Sequence, residues 1–389
     1  MKKYLQGDRA IWGVIVLLSF FSILAVYSST GTLAYKKMGG NTTYYLVRHG
    51  VILGAAIFII YLVHLIPYRY YFQLSRLFLG ISVVLLVFTL ISGVRMNEAS
   101  RWLTLPGLGF TIQTSDLAKM SLVMYLSRML SLKQNETGNV KDILLSMGIP
   151  LYLVVMLIAP ANLSTALILF VVSLVLMFVA RIKMKVLLSL VGLGIAGGAL
   201  ILLVALATGQ KGRILTWQNR IENYISGDEN DEDNYQAEQA RIAVATGGLF
   251  GKKPGKSTQR NFLPHPYSDF IYAIIIEEYG LLFGAIPIML AYLILLYRAG
   301  VIVKRSKRTF PAFLTVGMTL LIVTQAFVNM GVSVTLFPVT GQTLPLVSMG
   351  GSSMLFTAFE LGIILNVSRT LEQQEMNEED YEGEDESDH

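Results

Sequence analysis

The chain has 389 residues, of which 53% are hydrophobic and only 15% are charged, and its mean hydropathy is +0.57. A soluble protein carries about 25% charged residues, so this composition excludes an ordinary soluble protein and favours one whose surface faces lipid. The absence of cysteine excludes disulfides and thiolate metal sites. The four histidines are too scattered along the sequence to indicate a zinc site.

The net charge of +5 is distributed unevenly along the chain. Ten acidic residues and no lysine or arginine follow Arg369. The rest of the chain therefore carries about +15, which suits anionic lipid headgroups. The acidic segment 372–389 has almost no apolar residues and is predicted to be a disordered cytoplasmic tail, and residues 1–371 are predicted to form the membrane domain.

Ten segments are candidate membrane spans, because each approaches the length of about 20 mostly apolar residues that crossing a bilayer requires. The first is predicted to stay attached as a span, since it lacks the short apolar core and cleavage site of a signal peptide. Only helices satisfy their own backbone hydrogen bonds in lipid. The predicted fold class is therefore an all-α polytopic membrane protein, with spans at 10–30, 44–66, 75–94, 114–131, 143–160, 163–180, 184–208, 269–298, 310–331 and 350–368.

The orientation is predicted from lysine and arginine in the short loops. With the N-terminus in the cytoplasm, the inside segments hold seventeen of these residues and the short outside loops hold four. This bias predicts that both termini are cytoplasmic. It also places one long loop, residues 208–268, in the periplasm before the eighth helix.

Two features of this long loop can be interpreted from the sequence. An apolar stripe at helical spacing predicts an amphipathic helix on the outer leaflet, formed by Ile214, Trp217, Ile221, Tyr224 and Ile225. The acidic run 228–233 is predicted to be a solvated turn rather than an ion site, because its spacing does not match a calcium-binding loop. Further on, the stretch 251–257 looks like a phosphate-binding loop, but Phe250 stands where that pattern needs glycine.

Ionisable residues at or inside the span ends are the next signal, since a charge near the bilayer centre costs at least about 2.5 kcal/mol. They are Arg48, His49, Asp116, Lys119, Glu277, Glu278 and Glu360. Asp116 and Lys119 are three residues apart, so they share a helix face and can pair. Two interpretations stay open: a structural ion pair within the bundle, or a polar cavity that opens to the outer face.

Asp269 lies where the long loop enters the eighth predicted span. Ser268 or Asp269 could simply cap that helix. Alternatively, Asp269 is a carboxylate at the boundary between water and lipid, suited to general-base chemistry. Glu277 and Glu278 follow about 12–14 Å deeper along a helix, too far away for a close carboxylate pair with Asp269.

Several short motifs occur together in one order along the chain. They are Arg101-Trp102, Gln113-Thr-Ser-Asp116-Leu-Ala-Lys119, Leu163-Ser-Thr-Ala166, Gly247-Gly-Leu-Phe-Gly251, Leu263-Pro264, Ser268-Asp-Phe-Ile271, Glu277-Glu-Tyr-Gly280 and the stretch from Pro338 to Ser353. Each motif is weak by itself, but the ordered set resembles the SEDS family of peptidoglycan glycosyltransferases. Thr343, followed by Leu344-Pro345-Leu346, is similar to the cell-division branch of that family.

The resemblance implies a reaction and roles for particular residues. SEDS proteins polymerise lipid II, a disaccharide-pentapeptide on undecaprenyl pyrophosphate, into glycan strands. By this resemblance Asp269 would be the general base, and the expected substrate-binding residues are Arg48, Arg101, Asp116, Lys119 and Ser352. No cofactor is certain, although a divalent cation, Mg or Mn, would share the neutralisation of pyrophosphate with the cationic side chains.

The chain departs from the family pattern at several of these positions. His265, Tyr267 and Ser268 stand where the family usually has Glu, His and Thr, and Thr114 and Asp116 stand where it has Pro and Glu. Asn162 stands where the family has an aspartate, so this chain lacks that carboxylate. Asp269 is retained, and with it the expected activity.

The resemblance also implies partners and a location. The expected partners are a class B penicillin-binding protein that cross-links the strands, other division membrane proteins and the lipid bilayer, and no nucleic acid is expected. The expected location is the bacterial inner membrane, at the division septum. Two alternatives stay open: a flippase for the same lipid, which would need a site that alternates between the two faces, and a non-catalytic division scaffold.

Overall fold

The structure is a computed structural model that describes residues 6–31, 33, 35, 41–92, 94–96, 99–104, 111–134, 140–207 and 232–387. The predicted amphipathic helix at 214–225 and the acidic residues 228–231 lie outside the described residues. The last two residues of the acidic run, Glu232 and Asp233, begin a helix rather than forming a turn.

Helices dominate the described chain, and ten of them match the ten predicted spans. These are α1 (Arg9–Ser29), α2 (Thr42–Leu65), α3 (Tyr68–Ser92), α4 (Thr114–Leu132), α5 (Val140–Ile158), α6 (Leu163–Val179), α7 (Met184–Ala207), α9 (Ile271–Arg305), α10 (Thr309–Ser333) and α11 (Gly351–Ser387). Helix α8 (Glu232–Gly247) lies in the second half of the long loop. One turn each of α5 and α9 is a π-helix, at Leu144–Gly148 and Leu281–Ala285.

Seven helices of the described chain are long and apolar enough to cross a membrane, so the protein is a polytopic membrane protein. Helix α4 is not among these seven, because it carries more polar residues. Nearly every residue on it is buried in the bundle, so these polar side chains contact protein rather than lipid. The same packing accounts for the polar residues that interrupt α11.

A small antiparallel sheet connects α3 to α4. Its strands are β1 (Val94–Met96), β2 (Ala99–Thr104) and β3 (Thr111–Gln113), paired in the order β1-β2-β3. Trp102 is the register partner of Gln113, the residue that immediately precedes α4. The sheet therefore fixes the entry into α4, the helix that carries Asp116 and Lys119.

Helix α8 packs on α9 and α10 through a second apolar cluster, separate from the main core. Its members are Ala240, Ala243, Leu263, Phe270, Ala273, Ile274 and Val332. Phe270 follows Asp269 directly and is fully buried. This cluster anchors the end of the long loop on the bundle next to Asp269.

The last helix differs from the sequence-based prediction. Helix α11 continues to Ser387, whereas the segment from Glu372 was predicted to be disordered. Glutamate is a good helix former, and the first turns beyond the bundle are tied down: Glu372 accepts a hydrogen bond from the Gly7 amide, and Glu375 pairs with Arg305. These contacts with the segment before α1 and with α9 are tertiary, so the local composition did not reveal them.

Candidate active site

The backbone around Asp269 is held by tertiary contacts rather than by a helix cap. Helix α9 begins at Ile271 with Phe270 as N-cap, and no side chain makes a capping hydrogen bond there. The alternative in which Ser268 or Asp269 caps this helix is therefore wrong. Asp269 instead lies one residue before the N-cap, in a segment whose carbonyl groups are bound by other parts of the chain.

Three consecutive carbonyl oxygens of this segment each accept a hydrogen bond from elsewhere. The Met349 amide donates to Tyr267 O at 2.9 Å, and the Ser348 hydroxyl donates to Ser268 O at 2.6 Å. The Asn329 amide group donates to Asp269 O at 2.8 Å. Residues 267–269, the carbonyl strap, are thus fixed between α10 and the loop that precedes α11.

The carboxylate of Asp269 remains partly accessible. Its Oδ1 accepts a hydrogen bond from the Ser268 hydroxyl at 2.7 Å, and the residue is half-buried. Burial of the Tyr267 ring, reinforced by Tyr45 and Asp269, raises the pKa of Tyr267 above its usual value of 10. Its phenol therefore stays protonated at neutral pH and serves as a hydrogen-bond donor, not as a second base beside Asp269.

A second cluster surrounds the predicted ion pair. Lys119 Nζ lies 2.9 Å from Asp116 Oδ1 and 2.9 Å from Gln325 Oε1, and both charged residues are buried, at 6% and 3% exposure. Glu360 on α11 is also buried and lies close enough for the charges of Lys119 and Asp116 to act on it. The prediction that Asp116 and Lys119 pair is confirmed.

Helix α10 joins the two clusters. Gln325 accepts from Lys119, and its amide nitrogen donates to Thr343 O at 3.0 Å. Asn329, four residues later, donates to Asp269 O and to Gln342 O at 2.7 Å. Residues four apart lie on one helix face about 6 Å apart. One face of α10 thereby sets the spacing between the segment that carries Asp269 and the buried ammonium group.

Ser352, another predicted substrate-binding residue, contacts the residue that immediately precedes α4. Its hydroxyl accepts a hydrogen bond from the Gln113 amide at 3.0 Å, so the start of α11 is attached to β3. Ser352 is almost fully buried, at 1% exposure. A narrow crevice of about 10 Å³, room for about one water molecule, lies next to the start of α4, with Thr89, Thr114 and Ser115 among its lining residues.

Asn162, which replaces a family aspartate, has a structural role here. Its side-chain oxygen accepts a hydrogen bond from the Thr165 amide at 3.2 Å and caps α6. The Thr165 hydroxyl in turn accepts a hydrogen bond from the Gln342 side chain at 2.7 Å, which connects this cap to the loop that precedes α11. Asparagine and aspartate cap helices about equally well, so the lost charge does not remove the cap.

Of the two arginines of the predicted site, Arg48 is not brought into these clusters. Arg48 is exposed on α2, whereas its neighbour His49 is buried and bonded to Ser22 at 2.8 Å. The Ser22 hydroxyl also contacts Val347 O at 2.9 Å, so the buried histidine reaches the loop before α11. The backbone of Arg101 lies in β2, and its side chain is outside the described part of the structure.

Glu277 and Glu278 belong to a separate structure, the glycine-loop clasp, formed by these two residues and the loop 251–260. Glu277 is fully buried and accepts hydrogen bonds from Lys252 Nζ at 2.7 Å and from the hydroxyls of Ser257 and Thr258. The amides of Thr258 and Gln259 donate to it as well, at 3.1 and 3.2 Å. The loop that looks like a phosphate-binding loop therefore surrounds carboxylates of its own chain.

Glu278 continues this clasp to the end of α1. It accepts from the Ser28 hydroxyl and from the Ser257 amide, and Arg260 donates to Ser28 O at 3.0 Å. Gly251 permits the close approach, because its φ is +76° and a Cβ there would collide with the carbonyl group of Glu278. The clasp fixes the loop that leads into Asp269.

The divalent cation, Mg or Mn, stays an expectation. Across the described ranges, no group of three or more His, Asp or Glu side chains is placed to hold a metal ion, but Mg²⁺ is usually held by one or two carboxylates together with substrate phosphates. Asp116 Oδ1 pairs with Lys119, and Glu277 is bound within the clasp.

Sequence analysis missed the residues that connect the site. Gln325, Asn329, Gln342, Thr343 and Ser348 were not predicted as site residues, yet they carry the contacts between the two clusters. A signal was available for two of them. Gln325 and Asn329 are amide side chains within an apolar span, four residues apart, which is the spacing of one helix face.

The fold and site define a class: a polytopic helical membrane protein in which one helix face connects a half-buried carboxylate to a buried cluster of lysine and carboxyl side chains. Residues 8–373 match the FtsW/RodA/SpoVE family, described as cell cycle proteins. The chain belongs to this family.

Individual relatives agree with this assignment over nearly the whole chain. A probable peptidoglycan glycosyltransferase FtsW from Geobacter metallireducens is 33% identical over 95% of this chain and 96% of its own length. Stage V sporulation protein E from Bacillus subtilis is 33% identical, covering 94% of this chain and 98% of the relative.

Solved structures share the fold. A chain from a structure described as a peptidoglycan synthase complex that coordinates polymerization and crosslinking has a TM-score of 0.69 and 25% identity, over 95% of this chain and 99% of that one. The rod shape determining protein RodA from Thermus thermophilus has a TM-score of 0.65 and 25% identity, over 94% and 98%.

Proposed function

We propose that the protein is a peptidoglycan glycosyltransferase of the cell-division branch, which polymerises lipid II into glycan strands with Asp269 as general base. Family membership over residues 8–373 supports the reaction class. The observation that carries the proposal is the placement of Asp269: a half-buried carboxylate on a tightly held backbone, connected through one face of α10 to the buried Lys119.

The chemistry follows from these positions. Asp269 removes the proton from a sugar hydroxyl of one lipid II molecule as that oxygen attacks the anomeric carbon of the growing chain. The new glycosidic bond forms while the bond from the anomeric carbon to the pyrophosphate breaks, and the lipid pyrophosphate leaves. Lys119 would stabilise the negative charge that develops on the leaving group, and Asp116 and Ser352 remain proposed substrate-binding residues.

Arg48 and Arg101 remain proposed substrate contacts at the outer end of the bundle. Arg48 is exposed, and it would contact the pyrophosphate only once substrate lies against α2. The orientation proposed from the loop charges places both termini in the cytoplasm and the loop 208–268 in the periplasm. The site then faces the side where glycan is assembled.

We propose a class B penicillin-binding protein as the partner, and the division septum of the inner membrane as the location. The structural neighbour described as a peptidoglycan synthase complex supports a partnered enzyme. Such a partner would cross-link the strands that this chain polymerises, and other division membrane proteins would join the two.

The test uses purified protein and labelled lipid II, with and without the transpeptidase partner. Glycan strands on a gel, dependent on this chain, are the expected result. Transfer of lipid II across liposome membranes without polymer would favour the flippase instead. Partner binding with neither polymer nor transfer would favour the scaffold, and either outcome overturns the glycosyltransferase.

A further inference from the structure

The carbonyl strap shows how Asp269 is positioned without a helix cap. Asp269 is outside α9, so the hydrogen bonds of that helix do not fix its backbone. Three donors hold the carbonyl strap instead, one at each of its carbonyl groups. Two of these donors are side chains, Asn329 and Ser348. Because both side chains lie outside the strap, replacing either one removes a hydrogen-bond donor to the strap without changing residues 267–269.

Asn329 is suited to this role by its chemistry. Its exposure is 1%, and its side-chain nitrogen donates to two carbonyl oxygens, Asp269 O and Gln342 O. Because both partners are acceptors, the orientation of the amide group is fixed by the network. One nitrogen thus ties the strap to the loop that precedes α11.

The other end of the Asn329 side chain indicates that the donated hydrogen bonds are the reason for asparagine at this position. Its Oδ1 is buried and has no hydrogen-bond partner among the described residues. A buried acceptor without a partner costs about 1–3 kcal/mol. An apolar residue of similar size would avoid that cost but would lose both donated bonds, so the two donated bonds are what asparagine contributes here.

Ser348 holds the neighbouring carbonyl group. Its hydroxyl donates to Ser268 O at 2.6 Å and accepts from the Leu344 amide at 2.8 Å, and the residue is 2% exposed. Ser268 is also the residue whose own hydroxyl donates to the Asp269 carboxylate. Ser348 therefore acts on both the backbone and, through Ser268, the carboxylate.

We propose that Asn329 and Ser348 are positioning residues, which hold the carbonyl strap so that the Asp269 carboxylate points at the reacting hydroxyl. The expected loss of rate rests on the proposed function. The expected loosening of the carbonyl strap does not depend on it. A misplacement of about 1 Å at a reacting group can lower the rate about 100-fold, and loss of either donor loosens the strap on that scale.

The chain offers matched controls for both variants. Asn366 on α11 is 2% exposed, donates one hydrogen bond to a backbone carbonyl at 2.8 Å and also has a buried oxygen without a partner among the described residues. It contacts His64 at the opposite end of the bundle. Ser333 on α10 is fully buried, and its hydroxyl has no described partner.

The experiment compares Asn329→Leu with Asn366→Leu, and Ser348→Ala with Ser333→Ala, in full-length protein with its partner. Hydrogen exchange of the Tyr267–Phe270 amides gives the structural readout and does not depend on activity. Steady-state kinetics with lipid II give the functional one. Ser348→Ala removes a single oxygen, so it reports on the strap even where the Asn329 variant fails to fold.

We expect faster exchange at Tyr267–Phe270 in both strap variants and not in the controls. We also expect kcat to fall about 10- to 100-fold with KM nearly unchanged. Unchanged exchange, unchanged kcat, or an equal kcat loss in the controls would each overturn the positioning role. A wild-type chain that makes no glycan refutes the proposed function instead, and the exchange comparison then still decides whether the two side chains hold the strap.

Discussion

The buried Lys119 cluster predicts an asymmetry between its charged members. Lys119 is the one cation among the described side chains in this cluster, and it has two acidic neighbours, Asp116 at 2.9 Å and Glu360 further off on α11. Asp116→Asn removes one of these carboxylates but leaves Glu360, which can release its proton and become the counter-charge of Lys119. Lys119→Met removes the cation and leaves the Asp116 carboxylate buried without a cationic partner.

The magnitudes follow from burial. All three residues are at most 6% exposed, so water screens them little. Removing the sole partner of a buried charge costs about 3–5 kcal/mol, which we expect for Lys119→Met. Loss of a hydrogen bond to a charged group costs about 1.5–3 kcal/mol, which we expect for Asp116→Asn because Gln325 and Glu360 still accompany Lys119.

The decisive comparison adds Glu360→Gln and the double variant Asp116→Asn/Glu360→Gln. Only the double variant leaves Lys119 without either carboxylate, so its loss of stability should exceed the sum of the single losses by about 0.5–3 kcal/mol. Thermal melting of each purified variant in one detergent measures this. Additive losses, or an Asp116→Asn cost equal to that of Lys119→Met, would refute the idea that Glu360 shares the cation.

Three further predictions concern topology, the clasp and the α6 cap. A cysteine introduced at position 230, outside the described residues, should react with an impermeant reagent on intact cells, and protection until lysis would contradict the orientation. Glu277→Ala should cost about 3–5 kcal/mol of stability, whereas Asp142→Ala in a more exposed ion pair should cost at most about 1 kcal/mol; equal shifts in melting temperature would argue against the clasp. Asn162→Asp should be as stable as the wild type and Asn162→Ala about 1 kcal/mol less stable, and a clear loss of stability in Asn162→Asp would show that capping is not the role of this residue.

The sequence predicts those features that depend on neighbouring residues. Seven of the ten predicted spans follow from apolar length, which is a local property, and the Asp116–Lys119 pair follows from a spacing of three along one helix. Both are present in the structure. The orientation of the chain and the roles of the site residues remain predictions.

The contacts that unite the site depend on tertiary approach instead. Lys119 and Gln325 are 206 positions apart, and Thr165 and Gln342 are 177 apart. No periodicity connects such pairs. The sequence left open a helix cap at Ser268 or Asp269, and tertiary contacts exclude it. The donors from Asn329 and Ser348 fix the segment outside α9, and the helix begins two residues after Asp269.

The glycine-loop clasp combines two sequence signals that have separate interpretations in the sequence alone. Glu277 and Glu278 are charges inside a predicted span, and the loop 251–257 is an incomplete phosphate-binding pattern. The structure makes each the partner of the other. Amide and hydroxyl donors that converge on an anion need not bind a ligand when carboxylates of the same chain lie within reach.

The most direct test of the central claim is polymerisation of labelled lipid II by Asp269→Asn. Asparagine keeps the size of the side chain, its oxygen can still accept from Ser268, and the bond from Asn329 to the backbone is unaffected. What it lacks is a basic carboxylate, and general-base catalysis contributes about 100- to 10,000-fold in rate.

The measurement is a gel of glycan products from wild type and Asp269→Asn, at equal purity and equal binding to the transpeptidase partner. We expect a folded, partner-bound variant that makes no detectable strands under conditions in which the wild type makes long ones. Near-normal glycan from Asp269→Asn would contradict Asp269 as the general base.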